Sequence, residues 1–336
     1  MITFQSSHFR LDTLYFSLFL GLLILAGCKS DNPSTSEVTT KPVPNITIPA
    51  FNRDSAYQFV AHQVSFGPRN PGSTGHEACK NWIIGKLRDY GVEVTEQDFQ
   101  ASLYNGEVHD ATNIIGKINP DQQNRIALAA HWDTRHLADQ DPNSTSQNDP
   151  IIGADDGGSG VAALIEIARV MADHPVDIGV DLIFFDAEDQ GESGGGRNDT
   201  WCLGAQYWAR NLSNRNRPKY GILLDMIGAK GATFSKEGAS LYYARSVVEK
   251  VWNLAGSMGY GHYFVNNSIG QLVDDHVFVN QIAGLPMIDI IYWSRGSFGP
   301  HWHTHDDDLD VIDKNVLGAV GQVVLAVIYK ESVGAI

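Results

Sequence analysis

Apolar runs in this chain stop at a histidine or an acid. Ile126–Ala130 runs into His131, Val180–Phe185 into Asp186, and Gly221–Leu224 into Asp225. Unbroken apolar runs of this length are central strands covered on both faces, and they leave little choice of fold. Helical patterns alternate with them. The expected strands are Val92–Phe99, Asn113–Ile118, Arg125–Ala130, Val180–Phe185, Gly221–Met226 and Pro286–Ile291. The expected helices are Ser55–Val64, Gly75–Tyr90, Gly160–Ala172, Gly204–Asn211, Ala239–Met258, Asp275–Gln281 and Asn315–Lys330. In the third helix Val161, Leu164, Ile165 and Ala168 recur at i, i+3, i+4 and i+7, a stripe that faces a sheet. The pattern predicts a three-layer α/β sandwich around a mixed, mostly parallel twisted sheet. In open sheets of this class, sites form at the carboxyl ends of the strands.

Five short motifs place His, Asp or Glu at such ends or in turns beside them. They are His131-Trp132-Asp133-Thr134, the Gly-rich turn Gly153-Ala154-Asp155-Asp156-Gly157-Gly158, Phe185-Asp186-Ala187-Glu188-Asp189, Leu224-Asp225-Met226-Ile227-Gly228 and His301-Trp302-His303-Thr304-His305-Asp306. Singly, each reads as turn, cap or surface chemistry. Asp225 is the exception, because it interrupts an apolar run and a buried carboxylate needs a partner or a metal. Together they form a mixed His/carboxylate set of the kind that holds catalytic zinc.

The ends of the chain and its charge add context. Arg10 followed by the apolar run Leu14–Ala26 reads as a signal segment, too short to span a bilayer comfortably. It closes in Leu25-Ala26-Gly27-Cys28, which resembles a bacterial lipobox. That resemblance implies removal of residues 1–27, lipidation of Cys28 and a lipid-anchored protein facing the periplasm or cell surface. Residues 28–50, rich in Pro, Ser and Thr, are expected to be a flexible tether, and 51–336 a single catalytic domain. The 24 Lys and Arg against 39 Asp and Glu give a net charge of −15, which excludes nucleic acid as a partner and leaves the lipid anchor as the only expected membrane contact. Three cysteines are too few for a disulfide scaffold. Cys79 and Cys202 either pair or remain free buried thiols.

The ordered motifs resemble the zinc aminopeptidase superfamily, and within it the glutaminyl-peptide cyclotransferases. The resemblance begins at Phe66-Gly67-Pro68-Arg69 and runs to the C-terminal helix. It implies zinc on Asp156, Asp189 and His303, with Asp189 where the family more often has Glu. It implies Glu188 as the proton-transferring residue and Asp225 and Asp274 as further catalytic groups. Trp302 and Trp201, with Trp293, are candidate walls of a substrate pocket. Asp289 is placed in that pocket, where animal cyclases have His, and is expected to press a second carboxylate against Asp274. His131 is a second-metal ligand or, with Asp133, part of a hydrogen-bonded outer layer. His305 and Asp306–Asp308 are expected to hold their loop. The substrates implied are peptides or proteins beginning with Gln, and one zinc ion is expected. The alternative is a di-zinc aminopeptidase, for which the same ligands serve. Cyclase features are Asp274 in Val273-Asp274-Asp275-His276, the Leu223–Ala229 segment and Trp302 before His303.

Overall fold

A computed structural model describes residues 46–293 and 296–336; the signal segment and Cys28 lie outside the described residues. Six strands form the main sheet: β1 (Glu93–Ser102), β2 (Val108–Ile118), β3 (Arg125–His131), β4 (Gly179–Phe185), β5 (Gly221–Asp225) and β8 (Met287–Ile291). Their order is β1-β2-β4-β3-β5-β8. The β4, β3, β5 and β8 neighbours pair in parallel, whereas β2 runs antiparallel to both β1 and β4. Every strand except β2 therefore points the same way. Two short strands, β6 (Phe234–Lys236) and β7 (Phe264–Ser268), pair separately. The sequence pattern did not announce them, because each is too short and too polar to carry a period-2 signal.

The helices are α1 (Arg53–Val64), α2 (Thr74–Asp89), α3 (Gly158–Asp173), α4 (Leu203–Arg210), α5 (Gly238–Ser257), α6 (Asp275–Phe278) and α7 (Lys314–Ser332). Expected α6 is shorter than its apolar pattern: after Phe278 the chain widens into one π-type turn over Val279–Ala283. Pleating divides the sheet between two cores. Ile126, Leu128 and Ala130 of β3 join the larger core with residues of α1, α2, α3, α5 and α7. Ala127 and Ala129 face the other way, into a core built with α4 and the α6 region. This is the three-layer arrangement, and it explains why β3, β4 and β5 are apolar without alternation. Cys79 belongs to the first core and Cys202 to the second, so the sheet separates them and both are free thiols.

The catalytic domain starts earlier than residue 51. Ile46 and Ile48 pack against the larger core, and the Gln322 side chain donates to the Pro49 carbonyl at 3.1 Å. Residues 46–50 are thus part of the folded body rather than of a tether; the Pro-rich composition masked two Ile side chains at useful spacing. Among the described residues no helix is long and apolar enough to cross a membrane.

Candidate metal centre and cavity

The carboxyl ends of β3, β4, β5 and β8 lie side by side, and the chain reverses order between β3 and its neighbours β4 and β5. That is where open parallel sheets leave a crevice. The β3 end supplies His131 and, two residues on, Asp133. The Asp133 carboxylate accepts from the backbone N–H groups of Glu188 (3.0 Å) and Asp189 (3.2 Å) and from the Gln190 side chain (2.9 Å). One acid on β3 therefore fixes the turn that follows β4. Ala187, immediately before Glu188, has φ of 52°, and the left-handed region also holds Cys202, Met226 and His303. Such residues persist only where surrounding contacts over-determine them. Here each lies within a residue of a site group or is one itself.

The Gly-rich turn before α3 is held just as firmly. Arg69, fully buried, donates to the carbonyls of Trp132, Ile152 and Gly153. The Asp307 carboxylate accepts from the backbone N–H of Asp155 (2.8 Å) and Asp156 (3.1 Å). Asp155 in turn accepts from Gly228 N–H at 2.7 Å and lies 3.0 Å from His301 Nε2. Gly157 is required by close approach: a Cβ there would stand 2.3 Å from the His131 carbonyl oxygen. The result is a turn that presents Asp156 to its neighbours.

Asp156, Asp189 and His303 offer ligand atoms within 4.8 Å of one another, all buried. His303 Nε2 is 3.0 Å from Asp189 Oδ1 and 3.9 Å from Asp156 Oδ2. The other ring nitrogen, Nδ1, is 3.0 Å from the Asp139 carboxylate. That partner leaves Nε2 directed at the two acids, as in carboxylate–histidine–metal arrangements. The second Asp189 oxygen is buried with no hydrogen-bond partner. Two carboxylates and one imidazole with an unsatisfied oxygen suit a zinc ion with an open position. The site also favours a cation electrostatically: against burial, which opposes it, Asp189 and Asp139 raise His303 to about 9.

His131 joins a second group. Its Nε2 is 3.0 Å from the other Asp156 oxygen, Oδ1, and 3.2 Å from Asp225 Oδ1. These three residues also meet the spacing a metal needs. Burial, with the Asp274 charge adding to it, pushes Asp225 up to about 8, although the His131 contact works the other way.

Beside the metal group lies a cavity of about 290 Å³. Glu188, half-buried, faces it together with Asp274, Trp201 and Trp302. Burial drives the Glu188 carboxyl well above its ordinary range; nearby His131 opposes this and Asp189, Asp275 and Asp274 reinforce it. Cys202 touches Glu188 twice. Its backbone N–H donates to the Glu188 carbonyl at 2.8 Å and its thiol to Oε1 at 3.2 Å. Trp302 stacks on the His303 ring with centroids 3.7 Å apart, and Trp201 lies 6.1 Å from the same ring. Trp293 and Phe298 continue the aromatic wall. Asp289 is a correction. It does not line the cavity; it is fully buried. It sits two residues short of the β8 end, so its side chain lies in the body of the sheet, behind Asp274.

Several site residues carried no readable signal. Asp139 lies in the polar insert 137–150, where an acid looks like any loop acid. Arg135, fully buried, donates to the carbonyls of Asp189 and Gly191, pairs with Asp139 at 2.9 Å and covers the Trp201 ring at 4.6 Å. Asp275 is buried with both oxygens unpartnered. Its position inside the Asp274-Asp275-His276 run was visible, but adjacent acids look alike in sequence. Of the loop acids Asp306–Asp308, it is Asp307 that braces the Asp155–Asp156 turn, and the His305 N–H and ring bind Asp141.

Fold and site together define a zinc-exopeptidase-like α/β protein. The chain matches peptidase family M28 over residues 113–328 and belongs to that family. Similar solved structures include a glutaminyl cyclase from Bacteroides thetaiotaomicron bound to N-acetylhistamine, with 46% identity and a TM-score of 0.82, covering 84% of this chain and 99% of that one. A Zn-dependent exopeptidase from Parabacteroides distasonis has the same 46% identity, TM-score of 0.82 and coverages of 84% and 99%. The glutaminyl-peptide cyclotransferase of Drosophila melanogaster is 27% identical over 270 residues, 73% of this chain and 72% of that protein.

Proposed function

We propose that the chain is a zinc-dependent glutaminyl-peptide cyclotransferase, converting an N-terminal glutaminyl residue of a peptide or protein into pyroglutamyl with release of ammonia. The observation that carries this reading is Asp274. From the cap of α6 its carboxyl comes within 4.8 Å of Glu188 and Cys202, beside the Asp156–Asp189–His303 group. A reaction that moves a proton from an attacking amine to a leaving nitrogen is served by one carboxyl that shuttles the proton and a second beside it that holds the nitrogen. The aromatic walls and the small volume suit a flat, uncharged carboxamide.

Asp156, Asp189 and His303 hold the zinc ion, which when bound supplies Lewis-acid polarisation of the carboxamide oxygen. The remaining chemistry belongs to the chain. Trp201, Trp293 and Trp302 orient the glutaminyl side chain so that its α-amine faces the γ-carbon. Glu188 takes a proton from that amine as the C–N bond forms and delivers it to the amide nitrogen, which leaves as ammonia. Its raised proton affinity suits both halves of the transfer. Asp274, with Asp225, accepts hydrogen bonds from the departing nitrogen. Asp133 and Cys202 hold the Glu188 turn in place.

A second reading has its own support. His131, Asp156 and Asp225 complete the ligand set of a di-zinc aminopeptidase, and a relative named an exopeptidase is as similar as one named a cyclase. Incubation with a Gln-initiated peptide separates the two by mass. Loss of ammonia supports the cyclase; loss of a whole residue, with about two tightly held zinc ions per chain, supports the aminopeptidase.

The lipobox-like Leu25–Cys28 supports export of the chain and anchoring through a lipidated Cys28, on the periplasmic side or at the cell surface. Metabolic labelling with a fatty-acid analogue tests this, with Cys28→Ser expected to abolish incorporation.

A further inference from the structure

Behind Asp274 the structure holds a buried polar group that the proposed reaction does not use. Glu237 precedes α5, and its carboxylate accepts from Ala239 N–H (2.7 Å), Ser240 N–H (2.6 Å) and Leu272 N–H (2.8 Å). His276 Nε2 lies 3.0 Å from its Oε2. Burial works against it, yet the His276 contact and these N–H bonds hold the Glu237 carboxyl down to about 2. An ionised acceptor of this kind fixes the imidazole: Nε2 must carry its hydrogen and donate. The other nitrogen, Nδ1, has no hydrogen-bond partner and lies 3.9 Å from Asp289 Oδ2. Both Asp289 oxygens and Asp274 Oδ2 are also buried without hydrogen-bond partners, and Asp274, His276 and Asp289 converge within 4.8 Å.

Two carboxylates cannot both stay ionised at that spacing in a buried place. We propose that Glu237 and His276 are positioning residues that keep a proton on Asp289, so that the buried Asp289–Asp274 pair behind the cavity wall carries one negative charge instead of two. The charged groups facing Asp289 and Asp274 are Asp225 from β5, Glu237 ahead of α5, Asp275 in α6 and Glu188 across the cavity. Of these, Asp225 and Glu237, with Asp274, reinforce retention of the proton on Asp289. Glu237 does more than fix a tautomer. Through Leu272 it ties the cavity lip to the cap of α5, and through His276 to the helix that carries Asp274. The contribution to catalysis rests on the cyclase reading; the location of the proton does not.

Difference infrared spectroscopy of the zinc-loaded chain tests it. In D289N the amide donates to Asp274 and one protonated-carboxyl carbonyl band present in the parent at neutral pH is expected to vanish. In E237Q the side-chain amide donates to His276 Nε2, moving the ring hydrogen to Nδ1, where it stabilises ionised Asp289. The same band is then expected to titrate away about one pH unit lower, with the alkaline limb of kcat shifted equally and KM little changed, a tenfold loss per unit. H276N, which lacks the ring but spares the Glu237 cap bonds, serves if E237Q does not fold, and is expected to shift the band in the same direction. A band unchanged in D289N, or identical titration in parent, E237Q and H276N, overturns the proposal. So does release of an additional metal ion by D289N, since a cation would then satisfy these atoms. If no form releases ammonia but the band behaves as stated, the cyclase reading fails and the Asp289 proton stands.

Discussion

Glu188 is held from several sides. Asp133 takes its backbone N–H, Cys202 touches both its carbonyl and its carboxyl, and burial raises its proton affinity. Glu188→Gln preserves this packing and removes only the exchangeable proton. It is expected to lower turnover about 100-fold or more while zinc content, measured by metal analysis, stays at the parental level. Asp139 acts one step further out, through His303 Nδ1. Asp139→Asn is expected to weaken zinc about 10–100-fold in a chelator competition, with the unliganded fold intact. The contrast marks what sequence can convey about single residues. Asp156, Glu188 and Asp225 stood beside readable strand ends or in a Gly-rich turn and His303 in a histidine-rich motif, and the structure gathers them. Asp139 reaches the site from the insert 137–150 and Arg135 from the loop just ahead of it, and contacts across more than fifty residues leave no local pattern. Asp289 shows the opposite error: its strand was legible, but its depth within that strand was not.

At the scale of elements, α3 is the piece that sets the site. Its first turn follows Asp156, and Gly160 lets it lie against β5: a Cβ there would stand 2.2 Å from the Leu224 carbonyl oxygen. Gly160→Ala is expected to cost about 1–3 kcal/mol in denaturant unfolding, because a packed backbone cannot move aside cheaply. Activity is expected to fall more than stability alone explains, since the same contact spaces Asp156 from Asp225. The strands and long helices were legible because they are unbroken apolar runs or clear 3.6-residue stripes. The pair β6 and β7 was not, and neither was the π-type turn after α6. In both cases tertiary contacts decide the backbone: Phe234 N–H donates to the Tyr263 carbonyl at 2.7 Å, and Asn280 bridges the His276 and Met287 carbonyls.

For the molecule as a whole, the acid excess has a local share. Burial raises Asp275 and Asp289 well above the usual carboxylate range, with Asp274 adding to both. The folded state therefore holds protons that the unfolded chain releases near pH 4. Stability from these groups is present below that pH and is lost as pH rises towards their folded values. In the presence of chelator the protein is expected to melt at a lower temperature at pH 8 than at pH 5 by calorimetry. Zinc is expected to raise the melting temperature by mass action, and by more at pH 8. Turnover runs the other way, rising from acid to mildly alkaline pH as the substrate amine loses its proton; a flat profile would exclude direct amine attack. The three-layer plan itself was readable, since unbroken strands require cover on both faces. The ends were less so, as the packed Ile46 and Ile48 show.

The proposed zinc donors come from distant parts of the chain. Asp156 and Asp189 come from turns after β3 and β4, but His303 comes from the segment just ahead of α7, the last element. The part of the chain through β5 carries the two carboxylates and also His131, 3.0 Å from Asp156, but not the imidazole that joins Asp156 to Asp189. His303 closes the three-residue group only once the segment ahead of α7 lies over the sheet ends, so the proposed centre depends on the packing of that segment as much as on the strands.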